Sequence, residues 1–176
     1  MSICRSLLMI SILFVPIGIV SLRAAEPVPY GAPIDLVTAK KVMAAAEAEA
    51  KKNSWSVVIA IVDGGGHLVM LERLDNTQWG SVEIAQRKAL TAAKFRRPTR
   101  FWEERIAKGG VDLKLLKING FPMEGGLPII HQGKVIGAIG VSGVTSTQDA
   151  QIGRAGIAAI GNRSSYRLIW RSAITG

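Results

Sequence analysis

The chain has 176 residues, with 22 Lys and Arg against 13 Asp and Glu, a formal net charge of +9 and 48% hydrophobic residues. Its one cysteine is Cys4 and its two histidines are His67 and His131. That inventory excludes a disulfide framework, a multi-histidine or cysteine-ligated zinc site and a cysteine nucleophile in the body of the chain. The positive excess suits an anionic partner, whether nucleic acid, an acidic small molecule or an anionic surface, and also serves plain solubility.

Arg5 precedes a mainly apolar run from Leu7 to Val20, and Ser21-Leu22-Arg23-Ala24-Ala25 follow. A basic start, an apolar middle and small residues at the end read as a secretory signal peptide over residues 1–25. The run is short of the ~20 apolar residues of a bilayer span. Cleavage is expected after Ala25, although Arg23 departs from the small-x-small pattern, and an uncleaved anchor is the alternative. The expected location is periplasmic or secreted, which argues against nucleic acid as partner. Setting Arg5 and Arg23 aside lowers the net charge to +7. The remaining ~150 residues suit one domain with a real core.

Residues 26–33 carry Pro27, Pro29 and Pro33 and read as an extended lead-in. Asp35 is a suitable N-cap for an alanine-rich helix to about Lys52, ended by Asn53. Ser56–Val62 is a β-branched run apolar enough for a central strand, and Asp63-Gly64-Gly65-Gly66 is a turn. His67–Arg73 returns as a second strand, and Leu74–Gly80 is a loop. A second helix is expected over Ser81–Phe95, its start resting on Ser81 alone. Pro98 breaks it, Thr99 can cap a short helix to about Ala107, and Gly109-Gly110 end that helix. Val111–Met123 is a short helical turn or a loop.

Gly125–Gly143 then forms two apolar runs around a Gly-containing turn, with small residues frequent enough to mark close approach of backbone or ligand. A last helix is expected from about Thr147 to Ile160, stopped by Gly161. Helix, hairpin, two helices, hairpin, helix predicts an α+β fold: a mainly antiparallel sheet of two hairpins with helices packed on it. The domain spans residues 34–161. A basic tail, residues 162–176, spaces Arg163, Arg167 and Arg171 among Tyr166 and Trp170, and reads as a solvated tail or a segment contacting a membrane surface or partner.

Few residues can carry chemistry. A lone histidine can be an axial haem ligand, and His67 follows a triple-glycine turn where a flat ligand can come close. His131 sits at the tip of the second hairpin. Ser142, Thr145, Ser146 and Thr147 lead into Asp149, and hydroxyls with backbone N–H groups at a helix start suit an anion. Asp149 is explained equally well as a residue that caps that helix and complements its dipole. Lys88 is alone on an alanine-lined helix face, where it either snorkels to the edge or enters a pocket. Gly-Val-Ser142-Gly lacks the nucleophile-elbow pattern, so no catalytic residue is assigned. Lys94, Arg96, Arg97, Arg100 and Arg105 form a basic cluster.

Ser56–Asp63-Gly-Gly-Gly-His67-Leu, Ala85-Gln-Arg-Lys88-Ala-Leu-Thr91, Arg97-Pro98-Thr99, Gly125-Gly-Leu-Pro128 through Gly137-Ala-Ile-Gly140-Val-Ser-Gly143, and Gln148-Asp149 together resemble the GlcG/HbpS family. That family also includes the C-terminal domain of PduO-type proteins. The resemblance covers about Ile34 to Ile160. It implies an α+β sandwich assembling into homo-oligomers, with extracellular haem binding and redox sensing in one branch and an association with glycolate oxidation in another. The family's Asp-x-Gly-Gly-His pattern falls on Asp63 and His67, with Gly64 where alanine is common. The resemblance thus makes His67 the first candidate for the haem iron and Asp63 its neighbour. The tail after Gly161 departs from the usual ending.

The leading expectation is an exported haem-binding protein, in haem handling or redox sensing, with basic residues meeting the propionates. The second is binding or conversion of a small organic acid of the glycolate type by Lys88, Ser142, Thr145 and Asp149. The third is an oligomeric interaction module.

Overall fold

The computed structural model describes residues 28–161. The expected signal peptide and basic tail lie outside the described residues. Asp35 has extended backbone and its carboxylate accepts the Thr38 N–H, which starts helix α1 at Leu36–Lys52. Asn53 closes it by donating to the Ala50 and Lys51 carbonyls, while Lys51 and Lys52 suit the negative end of the helix dipole. Strands β1 (Val58–Asp63) and β2 (Leu68–Arg73) form the first hairpin. Helices α2 (Ser81–Phe95) and α3 (Arg100–Ala107) follow, then a 3-10 helix (Gly110–Lys117) where a helical turn or a loop is expected. Strands β3 (Gly126–His131) and β4 (Lys134–Ser142) form the second hairpin, and α4 spans Ser146–Ala158.

The sheet order is β2-β1-β4-β3 with every pair antiparallel. The two hairpins are thus joined through β1 and β4, with Ile59 opposite Val141 and Asp63 opposite Gly137. This is the expected α+β architecture. Strand alternation sends Val57, Ile59 and Ile61 with Leu127, Ile129, Ile139 and Val141 into a core beneath α1 and α4. Val58, Ala60, Val62 and Ala138 face α2, which answers with Ala85, Ala89, Ala92 and Ala93. Gly140 lets α2 lie close on β4, because a Cβ there would run into the Ala85 carbonyl and the Ala89 nitrogen.

Three local details differ from the sequence expectations. Ser81 is the first helical residue and buried, with no side-chain cap bond at Gly80 before it. Thr99 precedes α3 without capping it; its hydroxyl accepts the Gly126 N–H at 2.9 Å and so ties α3 to β3. At α4, Thr145 rather than Asp149 is the cap, in a reciprocal capping box with Gln148.

The lead-in is part of the sheet end. Val135 donates to the Pro29 carbonyl, Gly31 donates to the Val135 carbonyl and Ile34 donates to the Ile136 carbonyl, each at 2.8 Å. Strand β1 stops opposite Gly137, so residues 29–34 take up the start of β4 that β1 leaves free. There β4 carries a bulge: Ile129 faces Gly137 and Ile130 faces Val135, which leaves Ile136 without a partner on β3. No helix of the described residues is long and apolar enough to cross a membrane.

Candidate functional site

The β1–β2 turn is built around one carboxylate. Asp63 Oδ1 accepts the N–H groups of Gly65 at 2.8 Å and His67 at 2.9 Å. Its Oδ2 lies 3.1 Å from His67 Nδ1. Burial works against the ionised carboxyl, but the bonds from His67 and Gly65 outweigh it and hold Asp63 below its usual range. An ionised Asp63 favours the Nδ1–H form of His67, which leaves the Nε2 lone pair free. The His67 side chain is 84% exposed. A Cβ on Gly65 would press to 2.9 Å from the imidazole Cε1, so the glycine keeps this ring position open.

The ring of Tyr30 lies alongside the same turn, 3.5 Å from where a Gly64 Cβ would stand. Its hydroxyl donates to the Ala93 and Lys94 carbonyls, and the Arg96 guanidinium stacks 5.1 Å from its centroid. Turn, imidazole, phenol and guanidinium therefore share one end of the sheet.

Lys88 and Asp149 meet inside the protein. Lys88 Nζ donates to Asp149 Oδ2 at 2.8 Å and to the Val141 carbonyl at 3.1 Å, with the two side chains only 1% and 2% exposed. Asp149 Oδ1 accepts the Val144 N–H, closing the loop before α4. Burial pushes the Asp149 carboxyl up to about 6, against the opposing pull of Lys88. Gly125 makes this reach possible: at φ +123° it has no Cβ, and one placed there would stand 2.8 Å from both Lys88 Nζ and the Val141 carbonyl. Ser142 donates to the buried Ser81 hydroxyl, and Thr145 is spent on its capping box. The four residues expected around a small-anion pocket are thus engaged with partners inside the protein.

Sequence reasoning did not single out Glu124. It is 5% exposed, and its Oε1 has no hydrogen bond, with Arg154 Nη1 at 3.6 Å and Arg100 Nη1 at 3.8 Å. Burial raises its carboxyl above the usual range despite both guanidiniums. Glu103 braces the same point, accepting the Glu124 N–H through Oε2 and the Ser146 hydroxyl through Oε1. The available signal was its isolation, as the one acid between Asp112 and Asp149, directly before two glycines.

The basic cluster is largely used internally. Arg97 stacks on Phe101 at 4.4 Å, Arg105 pairs with Asp112 at 2.7 Å, and Arg100 binds Glu104. Among the described residues no three of His, Cys, Asp or Glu gather into a metal-binding group.

The family described as haem degrading protein HbpS-like matches residues 34–158. The chain belongs to the HbpS-like family. Protein GlcG of Escherichia coli K12 is 44% identical over 107 residues, covering 59% of this chain and 77% of that protein. The crystal structure of HbpS superposes with a TM-score of 0.68 at 32% identity, covering 74% of this chain and 92% of HbpS. The crystal structure of a PduOC–haem complex superposes with a TM-score of 0.66 at 27% identity, covering 73% and 95%. The HbpS-like sequence features noted above, Asp63 to His67 and Gly125 to Gly143, lie within the matched residues.

Proposed function

We propose that this HbpS-like protein binds haem with His67 Nε2 as an axial ligand. The observation that carries this reading is the Asp63–His67 pairing: the carboxylate engages Nδ1 and fixes the ring, while the rest of the imidazole faces solvent. Ligating histidines are commonly oriented in this way by a carboxylate on the other ring nitrogen. The family description and the haem complex of PduOC support the same ligand. Bound haem iron supplies one-electron redox and small-ligand chemistry. The residues of this chain orient the imidazole, keep the turn free of Cβ atoms at Gly64 and Gly65, and set the Tyr30 ring beside it.

An imidazole this exposed covers one face of a macrocycle only. The other face falls to solvent or to a second copy, so a homo-oligomer whose subunits meet near the turn is part of the proposal. The apolar run before Ala25 supports export to the periplasm or the exterior, and haem handling or redox sensing there is the role proposed. The organic-acid reading is weaker, because the Lys88 charge it needs is already neutralised by Asp149.

Haem titration of the full chain tests the proposal. A Soret band shifted from that of free haem is expected, lost in His67→Ala and retained in His131→Ala. A wild-type spectrum in His67→Ala removes His67, and no shift in the parent protein removes haem.

A further inference from the structure

Helix α2 runs alongside the β1–β2 turn and ends beyond it. Leu90 lies against Gly66, where a Cβ would run into its side chain, and Arg96 stands about 9 Å further along the helix axis. The Tyr30 ring links the two places. It lies beside Gly64, and its hydroxyl donates to the Ala93 and Lys94 carbonyls at the helix end.

Arg96 closes α2 in the left-handed region, at φ +53° and ψ +36°, a conformation that helix ends usually give to glycine. Its side chain lies back over the lead-in, where the guanidinium stacks on Tyr30 and Nη1 donates to the Val28 carbonyl at 3.2 Å. A guanidinium has five N–H donors, and Val28 takes one of them. No carboxylate pairs with Arg96 among the described residues.

The charge around it is positive. Lys94 is exposed and likewise has no ion-pair partner among the described residues. Burial and the charges of Arg105 and Arg96 hold the Arg97 guanidinium below its usual range. The carboxylate of the turn does not answer this surplus. Asp63 is spent on the N–H groups of Gly65 and His67 and on the His67 ring, and it pairs with neither Arg96 nor Lys94.

We propose that Arg96 is the carboxylate-recognising part of the haem site: its guanidinium pairs with a propionate of the macrocycle whose iron His67 holds, with Lys94 beside it. This rests on the haem reading above, and it gives the site a preference for tetrapyrroles with free carboxylates over esterified ones.

Titration of the full chain with haem and with haem dimethyl ester, followed at the Soret band, tests it. The parent protein is expected to bind haem about tenfold more tightly than the ester, the worth of one charge-assisted bond. Arg96→Met keeps an apolar stem on Tyr30 and is expected to lose that factor toward haem and nothing toward the ester, with part of the loss recovered in Arg96→Lys. The Soret position should stay that of the parent in both variants. Equal affinity of the parent for the two ligands overturns the proposal. So does unchanged haem affinity in Arg96→Met, or an equal loss toward both ligands, which would mark a purely structural role. Failure of the haem reading shows differently: a parent-like Soret band in His67→Ala removes the axial ligand and leaves the preference for free carboxylates intact, whereas no Soret shift with either ligand removes both.

Discussion

Lys88 Nζ and Asp149 Oδ2, 2.8 Å apart and buried, join helices that lie on opposite faces of the sheet. α2 carries the lysine, α4 the aspartate, and the contact passes beside Gly125 before β3 begins. Removing one partner of a buried pair leaves an uncompensated charge. Lys88→Met is expected to lose about 3–5 kcal/mol at about pH 8 in urea denaturation. The loss is expected to shrink in acid, where Asp149 takes up a proton. An equal loss at both pH values contradicts the electrostatic account.

The same carboxyl makes stability depend on pH. Burial raises its folded pKa from 3.8 to about 6, so the folded protein holds this proton more tightly than the unfolded chain. The resulting stabilisation is fully present below pH 3.8 and is lost as pH rises through about 6. Relative to Asp149→Asn, the parent protein should gain up to about 3 kcal/mol on acidification across that window. Asp35, Glu49, Asp63 and Asp112 have lowered pKa values and act in the opposite sense. They are common to both proteins and cancel in the difference. Parallel urea midpoints across that window would rule the shift out.

Gly140 sets the distance between α2 and β4. Gly140→Ala places a methyl group against the Ala85 carbonyl, and overpacking of this kind costs typically about 1–3 kcal/mol or more. Gly80→Ala meets no atom within 4 Å at an ordinary backbone angle and is expected to stay within about 0.5 kcal/mol of the parent. Thermal melts of the two variants separate close packing from a general glycine effect.

Thr145→Ala removes one half of the capping box that starts α4, with an expected loss of about 1 kcal/mol. Asp149→Asn retains that box. Helix-specific hydrogen exchange should therefore show fraying at Ser146–Asp149 in the threonine variant, and protection equal to the parent would show that the cap contributes nothing.

Local rules made much of the fold legible. Asp35 as a cap, the glycine turn after Asp63, the β-branched run before it and Gly161 after the last helix are signals within a few residues of one another. The paired hairpins followed from those elements. What stayed hidden depends on partners far away in the chain. Lys88 meets Asp149 across 61 residues, and Thr99 meets Gly126 across 27. No local pattern marks Ile136 as a bulge, and the lead-in is an extended segment until β4 is seen to need a neighbour beyond Asp63. The site divides in the same way. Asp63 and His67, four residues apart, were readable as a unit, whereas Glu124 acquires its surroundings from α3 and α4.

The central claim is that His67 ligates haem through Nε2 while Asp63 holds its other nitrogen. Resonance Raman spectroscopy of the ferrous complex tests it most directly. An iron–histidine stretch is expected in the parent protein, absent in His67→Gly and restored in that variant by added imidazole, with Asp63→Asn shifting its frequency. An unchanged iron–histidine stretch in His67→Gly without imidazole would contradict the account.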